Sequence, residues 1–332
     1  MTNPILIELT RGPLVESVHT GAIAVARPNG ELQVSIGDVA RPIYPRSAIK
    51  AFQAIPVFET GAADALGYAD ADIALMCSSH SGTEAHASRA GSMLKRAGLT
   101  EADLGCGAHT PTNDDAANHM LRAGQHPTQL HNNCSGKHAA MVGTCAHCGD
   151  PVAGYTNIVH PHQQRVTRVL SDMLGDGFDA RRVGIDGCSA PNWASPLADL
   201  ARAFARFTTG EGLSVERGQI AQRIMRACFA APNMVAGPGR LDTLVMDRLP
   251  GKVFLKTGAE GVYCGAFPEL GLGFALKIDD GNARASKAVT EWLIGSMLKH
   301  TIDFGEIGPI KNWRGTHVGD IRAADALKRG AA

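Results

Sequence analysis

The chain has 332 residues, with 32 basic and 32 acidic side chains and a formal net charge of zero. At 44% apolar and 19% charged, it carries enough apolar surface to offset chain entropy, which excludes disorder as the main state. The charge balance also excludes a broadly basic nucleic-acid binder and a polybasic membrane-surface protein. Aromatic residues make up only 5%, so the core must be built mostly from Ala, Val, Leu and Ile. No apolar run approaches the roughly 18 residues that span a bilayer. The first residues show no basic stretch followed by a long apolar one, so a cytoplasmic protein is expected. The eight scattered cysteines then read as metal ligands, reactive thiols or small buried groups rather than as a disulfide scaffold.

Residues 5–9 and 14–26 are apolar, β-prone runs. Arg27-Pro28-Asn29-Gly30 is a turn and 31–36 a further strand, so the chain opens with antiparallel sheet. Residues 48–55 predict a helix with Ser47 near its start. The apolar run 73–77 reads as a short buried strand leading to the polar cluster Ser78-Ser79-His80-Ser81-Gly82. A helix over 84–97 ends at Gly98. The middle is mainly helical, over 136–148, 161–174, 196–207 and 219–229. Three short strands follow, 252–256, 261–267 and 273–278, and 285–298 predicts a last amphipathic helix. The helices 48–55 and 285–298 are expected to pack on the sheet. The plan is α+β: one domain over 1–332, with an antiparallel sheet built from both chain ends and a helical region over about 84–230. Regular βαβ alternation is missing, which excludes a doubly wound parallel sheet.

Several short motifs bear chemistry. Ser47-Ala48-Ile49-Lys50 is an S-x-x-K, whose i, i+3 spacing puts both side chains on one helix face. A neutral lysine there can take the serine proton. Alone, the motif is an ordinary helix start. Lys256-Thr257-Gly258 lies at the end of a predicted strand, where its backbone could supply an oxyanion-hole N–H. S-x-x-K early and K-T-G late is the chain order of penicillin-interacting serine acyl-transfer enzymes, but their S-D-N triplet is absent. His131-Asn132-Asn133-Cys134-Ser135-Gly136-Lys137-His138 and Asp186-Gly187-Cys188 could bring two thiols to a zinc ion, with histidine, carboxylate or water completing the set. Two small buried thiols are the plainer reading. Cys145-Ala146-His147-Cys148 has no matching second pair and reads as structural. No nucleotide-binding glycine motif is present.

Taken in order, Arg46-Ser47-Ala48-Ile49-Lys50, Met76-Cys77-Ser78-Ser79-His80-Ser81, Asn133 to His138, Asp186-Gly187-Cys188, Lys256-Thr257-Gly258 and Lys277 to Asn282 resemble the rhizobial-type, or class 3, L-asparaginases. The rest of the chain looks more divergent, as in a paralogous isoform. The resemblance implies a fold similar to serine β-lactamases and glutaminases, a homodimer, and hydrolysis of L-asparagine to L-aspartate and ammonia. It implies two Ser–Lys tandems, Ser47 with Lys50 and Ser79 with Lys256. It also implies a zinc site of Cys134, Lys137 and Cys188 with water as the fourth ligand. That lysine would have to be deprotonated. In this scheme Ser47 attacks the amide carbonyl, Lys50 is the base, and Lys256 helps keep Lys50 neutral and orients Ser79. Arg46, His80, Asn133, His138 and Asp186 would bind the substrate. Three alternatives stand beside it: a glutaminase or other amidase of the same fold; a β-lactamase or D,D-peptidase, disfavoured by the missing S-D-N; and a non-catalytic zinc or thiol protein using Cys134, Cys188, Cys145 and Cys148.

Overall fold

The structure is a computed structural model that describes residues 2–330. Its strands, in chain order, are β1 (Ile5–Arg11), β2 (Leu14–Ala26), β3 (Leu32–Ile36), β4 (Pro42–Ile43), β5 (Val183–Ile185), β6 (Pro191–Trp193), β7 (Ser195–Pro196), β8 (Phe254–Thr257), β9 (Val262–Phe267), β10 (Leu272–Ile278), β11 (Gly308–Lys311) and β12 (His317–Ala323). The helices are α1 (Lys50–Glu59), α2 (Ala62–Ala65), α3 (Asp70–Met76), α4 (Glu84–Arg96), α5 (Asp114–Arg122), α6 (Ser135–Cys148), α7 (Pro161–Leu174), α8 (Leu197–Thr209), α9 (Val215–Ala230), α10 (Pro232–Val235), α11 (Leu241–Arg248), α12 (Ala283–Leu298) and α13 (Asp325–Gly330).

The main sheet runs β11-β12-β1-β2-β10-β9-β8, with β3 paired to β2 beside that path. All its pairs are antiparallel. Strand β2 joins the two halves: its first part pairs with β1, and Gly21 to Ala26 pair with Ile278 to Gly273 of β10. At the far side, Ile7 to Leu9 of β1 pair with Ala323 to Ile321 of β12. The α+β plan, with a sheet built from both chain ends and flanked by helices, is the observed one.

Period-two alternation assigns the faces. Along β2, Ala22, Ala24 and Ala26 face the helical layer, where Phe52, Phe204, Phe207 and Phe254 are buried. Ile23 and Val25 face the opposite core with Val289, Leu293 and Ile294 of α12. The small alanines leave room on the crowded side for α8, which lies against β2, β9 and β10.

Three expectations change. Residues 73–77 are not a strand. They lie in and after α3, because the buried Asp72 caps its own first turn (Ala69 N–H to Oδ2, 3.0 Å) and is clamped by Arg89 and Arg96 at 3.0 and 2.8 Å. The segment 48–55 splits into a tight 3₁₀ turn, Arg46–Ile49, and α1. The turn meets the sheet at β8 and β9, whereas α1 packs mainly on α6, α7 and α9. Helix α12 does lie on the sheet, against β1, β9, β10 and β12. The terminal hairpin β11–β12 and the helices α5 and α11 go beyond the sequence reading.

Candidate active site

A cavity of about 410 Å³ opens where the 3₁₀ turn, the end of β8, the loop after α3 and the start of α6 meet. Ser47 and Ser79 both line it, together with Arg46, Asn133, Cys134, Asp186 and Cys188. The fold thus gathers onto one cleft residues that are more than two hundred positions apart.

Backbone strain concentrates here. Arg46 has φ +54°, and Asn192 pins it on both sides: Arg46 N–H donates to Asn192 Oδ1 at 3.3 Å, and Asn192 Nδ2 donates to the Arg46 carbonyl at 3.2 Å. Ser189 (φ +69°) and Glu260 (φ +58°) adjoin the lining residues Cys188 and Ala259. A non-glycine residue held in this region costs about 1–2 kcal/mol and persists only where its surroundings over-determine it. Gly258 is required by packing: a Cβ there would stand 2.5 Å from the Pro45 carbonyl oxygen. Its absence lets the end of β8 close on the Ser47 turn.

Neither expected Ser–Lys tandem is formed. Lys50 is buried, but its amine donates to the Ser78 carbonyl and to Cys134 Sγ (3.1 Å), not to Ser47. Lys50 points instead into the junction of two loops, where those acceptors hold its amine. Lys256, fully buried on β8, donates to the Thr257 carbonyl at 3.0 Å, not to Ser79. Among the described residues, the hydroxyls of Ser47 and Ser79 make no hydrogen bond. Burial lowers the Lys256 amine to about 7; nearby Asp242 opposes this, while Lys50 and Arg240 add to it. The expected oxyanion donors are also engaged: Thr257 N–H goes to Asp242 Oδ1 (2.7 Å) and Gly258 N–H to the Val262 carbonyl (2.8 Å). Ala259 lines the cleft, and its N–H has no acceptor among the described residues.

The zinc site is corrected as well. Among the described residues, no group of three or more His, Cys, Asp or Glu side chains is placed to hold a metal ion. Cys134, Lys137 and Cys188 do converge, as the resemblance implied, but as an ion cluster. Lys137 Nζ donates to Cys188 Sγ at 3.1 Å. Burial alone would lower its pKa, yet the charges of Cys188, Cys134 and Asp186 raise it, so the amine is an ammonium with no lone pair to give. A hydrogen bond from Cys134 pushes the Cys188 thiol far down against the cost of burial, and Lys137 adds to this. These residues do not fit a zinc ion, and no step is routed through one. A zinc-binding role falls with the site. The thiol alternative also weakens at Cys145, which burial raises to about 12.

The remaining predicted substrate residues divide. Asp186 is placed at the cleft by Arg46 Nε (2.6 Å) and the Gly187 N–H (2.9 Å), both to Oδ1. Asn133 lines the cleft, its N–H held by His109 Nε2 at 2.9 Å. His80 and His138 do not line it. His80 accepts the Gly82 N–H at Nδ1 (3.1 Å) and faces Ser135 Oγ with Nε2 (2.9 Å). His138 bonds the Tyr155 hydroxyl. Burial lowers both, His138 to about 4, so both are neutral struts behind the wall. Sequence reading missed His109, Asn132 and Arg240. The one local signal was Gly237-Pro238-Gly239 ahead of Arg240, which marks a turn.

A family model for L-asparaginase II matches residues 7–323. The chain belongs to the L-asparaginase II family. This replaces the assignment to the rhizobial, class 3 type: the motifs behind that resemblance are a few residues each, whereas the match extends over nearly the whole chain. No curated protein matches the sequence. Among solved structures, Mglu in its native form is similar at 14% identity with a TM-score of 0.38, covering 85% of this chain and 65% of that one. The chain therefore spans just under two thirds of that protein. A β-lactamase from Sphaerobacter thermophilus shows 15% identity and a TM-score of 0.40, over 81% of this chain and 86% of that one. One from Mycobacterium bovis shows 14% and 0.40, over 84% and 94%. Among the described residues, no helix of this family member is long and apolar enough to cross a membrane.

Proposed function

We propose that the cleft hydrolyses the side-chain amide of L-asparagine, giving L-aspartate and ammonia through an acyl intermediate on Ser47. One observation carries the reading: a buried amine lowered to about 7, Lys256, sits on β8 one residue before Thr257, which lines a polar cleft together with Ser47 and Ser79. A base with a pKa near neutrality is both available and able to accept a proton.

Ser47 Oγ attacks the amide carbonyl, and its proton passes to Lys256, which leaves the Thr257 carbonyl and turns toward the hydroxyl once substrate is bound. The C–N bond breaks as that proton is returned to nitrogen, and ammonia leaves. Water, losing its proton to the same amine, then cleaves the ester and restores Ser47. The Ala259 N–H stabilises the developing oxyanion. Ser79 orients the amide from the other side of the cleft. Lys50 holds the Ser78 and Cys134 loops in place, and Asn133 shapes the amide end. Asp186, fixed by Arg46, receives the substrate ammonium at its Oδ2.

Ammonia release from L-asparagine and mass spectrometry of quenched protein test this together. Wild-type protein should turn over and Ser47→Ala should not; an adduct of aspartyl mass should map to the peptide containing Ser47. Full turnover in Ser47→Ala would remove the nucleophile assignment. Two further points belong to the proposal. A homodimer is supported by the exposed Ile185 beside Ile158 and Pro191 along a shallow groove, and light scattering tests it. A cytoplasmic location is supported by eight cysteines that are all unpaired, and cell fractionation tests it.

A further inference from the structure

Two guanidinium groups line the cleft, Arg46 and Arg240, and they stand in different states. Arg46 is committed: its Nε lies 2.6 Å from Asp186 Oδ1. Arg240 has no carboxylate within ion-pair distance among the described residues, and its side chain donates no hydrogen bond there. Its partial burial nevertheless sets it in the wall rather than on open surface. With Asp186 balanced by Arg46, the cleft keeps one cation that calls for an anion.

The position of Arg240 is built rather than incidental. Gly237 has φ +116°, and a Cβ on it would stand 2.1 Å from Ser81 Oγ, so the turn is seated against the loop that carries Ser79. Thr243 Oγ1 donates to the Gly237 carbonyl at 2.7 Å. The Arg240 carbonyl accepts from Leu244 N–H at 3.0 Å, which makes Arg240 the residue that opens α11. Two residues on, Asp242 holds Thr257 N–H and the Tyr263 hydroxyl (3.2 Å). One helix start therefore fixes both the backbone of Arg240 and the wall at Thr257.

We propose that Arg240 receives the α-carboxylate of the substrate and so sets the specificity of the cleft for amides of free α-amino acids. The inference rests on the amide-hydrolase reading above. Its geometry is a divided one: ammonium to Asp186 on one side, carboxylate to Arg240 on the other, and the amide between them at Ser47. A planar guanidinium suits a carboxylate because it offers two parallel N–H donors. Neutral amides, and amides lacking the carboxylate, leave that half-buried cation without a partner.

The test compares L-asparagine with 3-aminopropanamide, which lacks only the α-carboxylate, and succinamate, which lacks only the ammonium. Arg240→Gln should cut kcat/KM on L-asparagine by about 100-fold, mainly through KM, and change 3-aminopropanamide by less than about 3-fold. Discrimination against succinamate should persist, because Asp186 is untouched. Arg240→Lys, which keeps the charge, should recover part of the loss. Equal losses on L-asparagine and 3-aminopropanamide, with a shifted pH profile, would mean that Arg240 acts only through the charge of Lys256, and would overturn the proposal. Calorimetry with L-aspartate reads the same contact without turnover, and Arg240→Gln should weaken it by about 30-fold or more. If no amide is hydrolysed but this binding still depends on Arg240, the amide reading fails and the carboxylate site stands. If binding is unchanged, the carboxylate site is wrong.

Discussion

The cleft has two walls, each with a buried lysine, and the two lysines take opposite charge states. Lys256, on the wall formed by β8, is lowered by burial to about 7, with Lys50 and Arg240 adding to this and Asp242 and Cys134 in opposition. Lys137, on the wall formed by α6, is equally buried but raised, because Cys188, Cys134 and Asp186 surround it. Burial penalises both ammonium ions alike; the sign of the neighbouring charge decides the outcome. The first wall holds an amine ready to move a proton. The second holds a fixed ion pair that shapes the pocket. Turnover should therefore fail when the first wall is changed, and stability when the second is.

The strongest break in that contrast is Ser47→Ala. Ammonia release should fall by about 10³-fold or more while the melting temperature stays within a few degrees. Lys256→Met comes next. It should reduce kcat by about 10²- to 10⁴-fold, and it should stabilise the fold. In the wild type the native state sheds a proton that the unfolded chain keeps up to about pH 10.5, so Lys256 costs most below pH 7 and nothing above that upper limit. The variant should gain up to about 4 kcal/mol at pH 6–7 relative to wild type, shrinking toward zero near pH 10.5, as read by urea unfolding at several pH values. A constant difference across that range would refute the assigned charge state.

On the other wall, Cys188→Ala strips Lys137 of its nearest anion. Stability should drop by about 3 kcal/mol, with partial recovery when Lys137→Met is added, as measured by denaturant midpoints. The smallest effect should come from Asp242→Asn. Wild-type kcat/KM should rise as pH climbs through about 7, where Lys256 becomes neutral. Removing the charge of Asp242 while keeping its acceptor for Thr257 N–H should move that rise to lower pH by about one unit. A shift to higher pH would break the account of what sets Lys256.

Much of the frame was legible in the sequence. The apolar, β-prone runs 5–9 and 14–26, the Asn-Gly turn and the three late strands predict an antiparallel sheet closed by both ends of the chain, and it is there. The run Ile73 to Cys77 misleads because an apolar run of that length fits a strand or a buried helix turn equally. The choice lay with Asp72, whose partners Arg89 and Arg96 come from a different helix. The site was legible as a set of residues but not as a set of bonds. Ser47, Ser79, Asn133, Cys134, Asp186 and Cys188 do meet at one cleft. The spacing of Ser47 and Lys50 promised a contact that the distant Ser78 carbonyl and Cys134 thiol take instead, and only the Gly237-Pro238-Gly239 turn marked Arg240.

The sequence by itself determined what local chemistry can determine: the sheet plan, the helical middle, the turns, and which short segments carry serine, thiol and amine groups. Tertiary structure decided their charge states and partners. A lysine's pKa depends on groups a few ångströms away, and these come from positions as distant in the chain as Lys50 and Asp242 for Lys256, or Cys188 for Lys137. No pattern along one strand or helix encodes that. Zero net charge gave no hint that the cleft would sort its charges into one balanced pair, Arg46 with Asp186, and one open cation, Arg240.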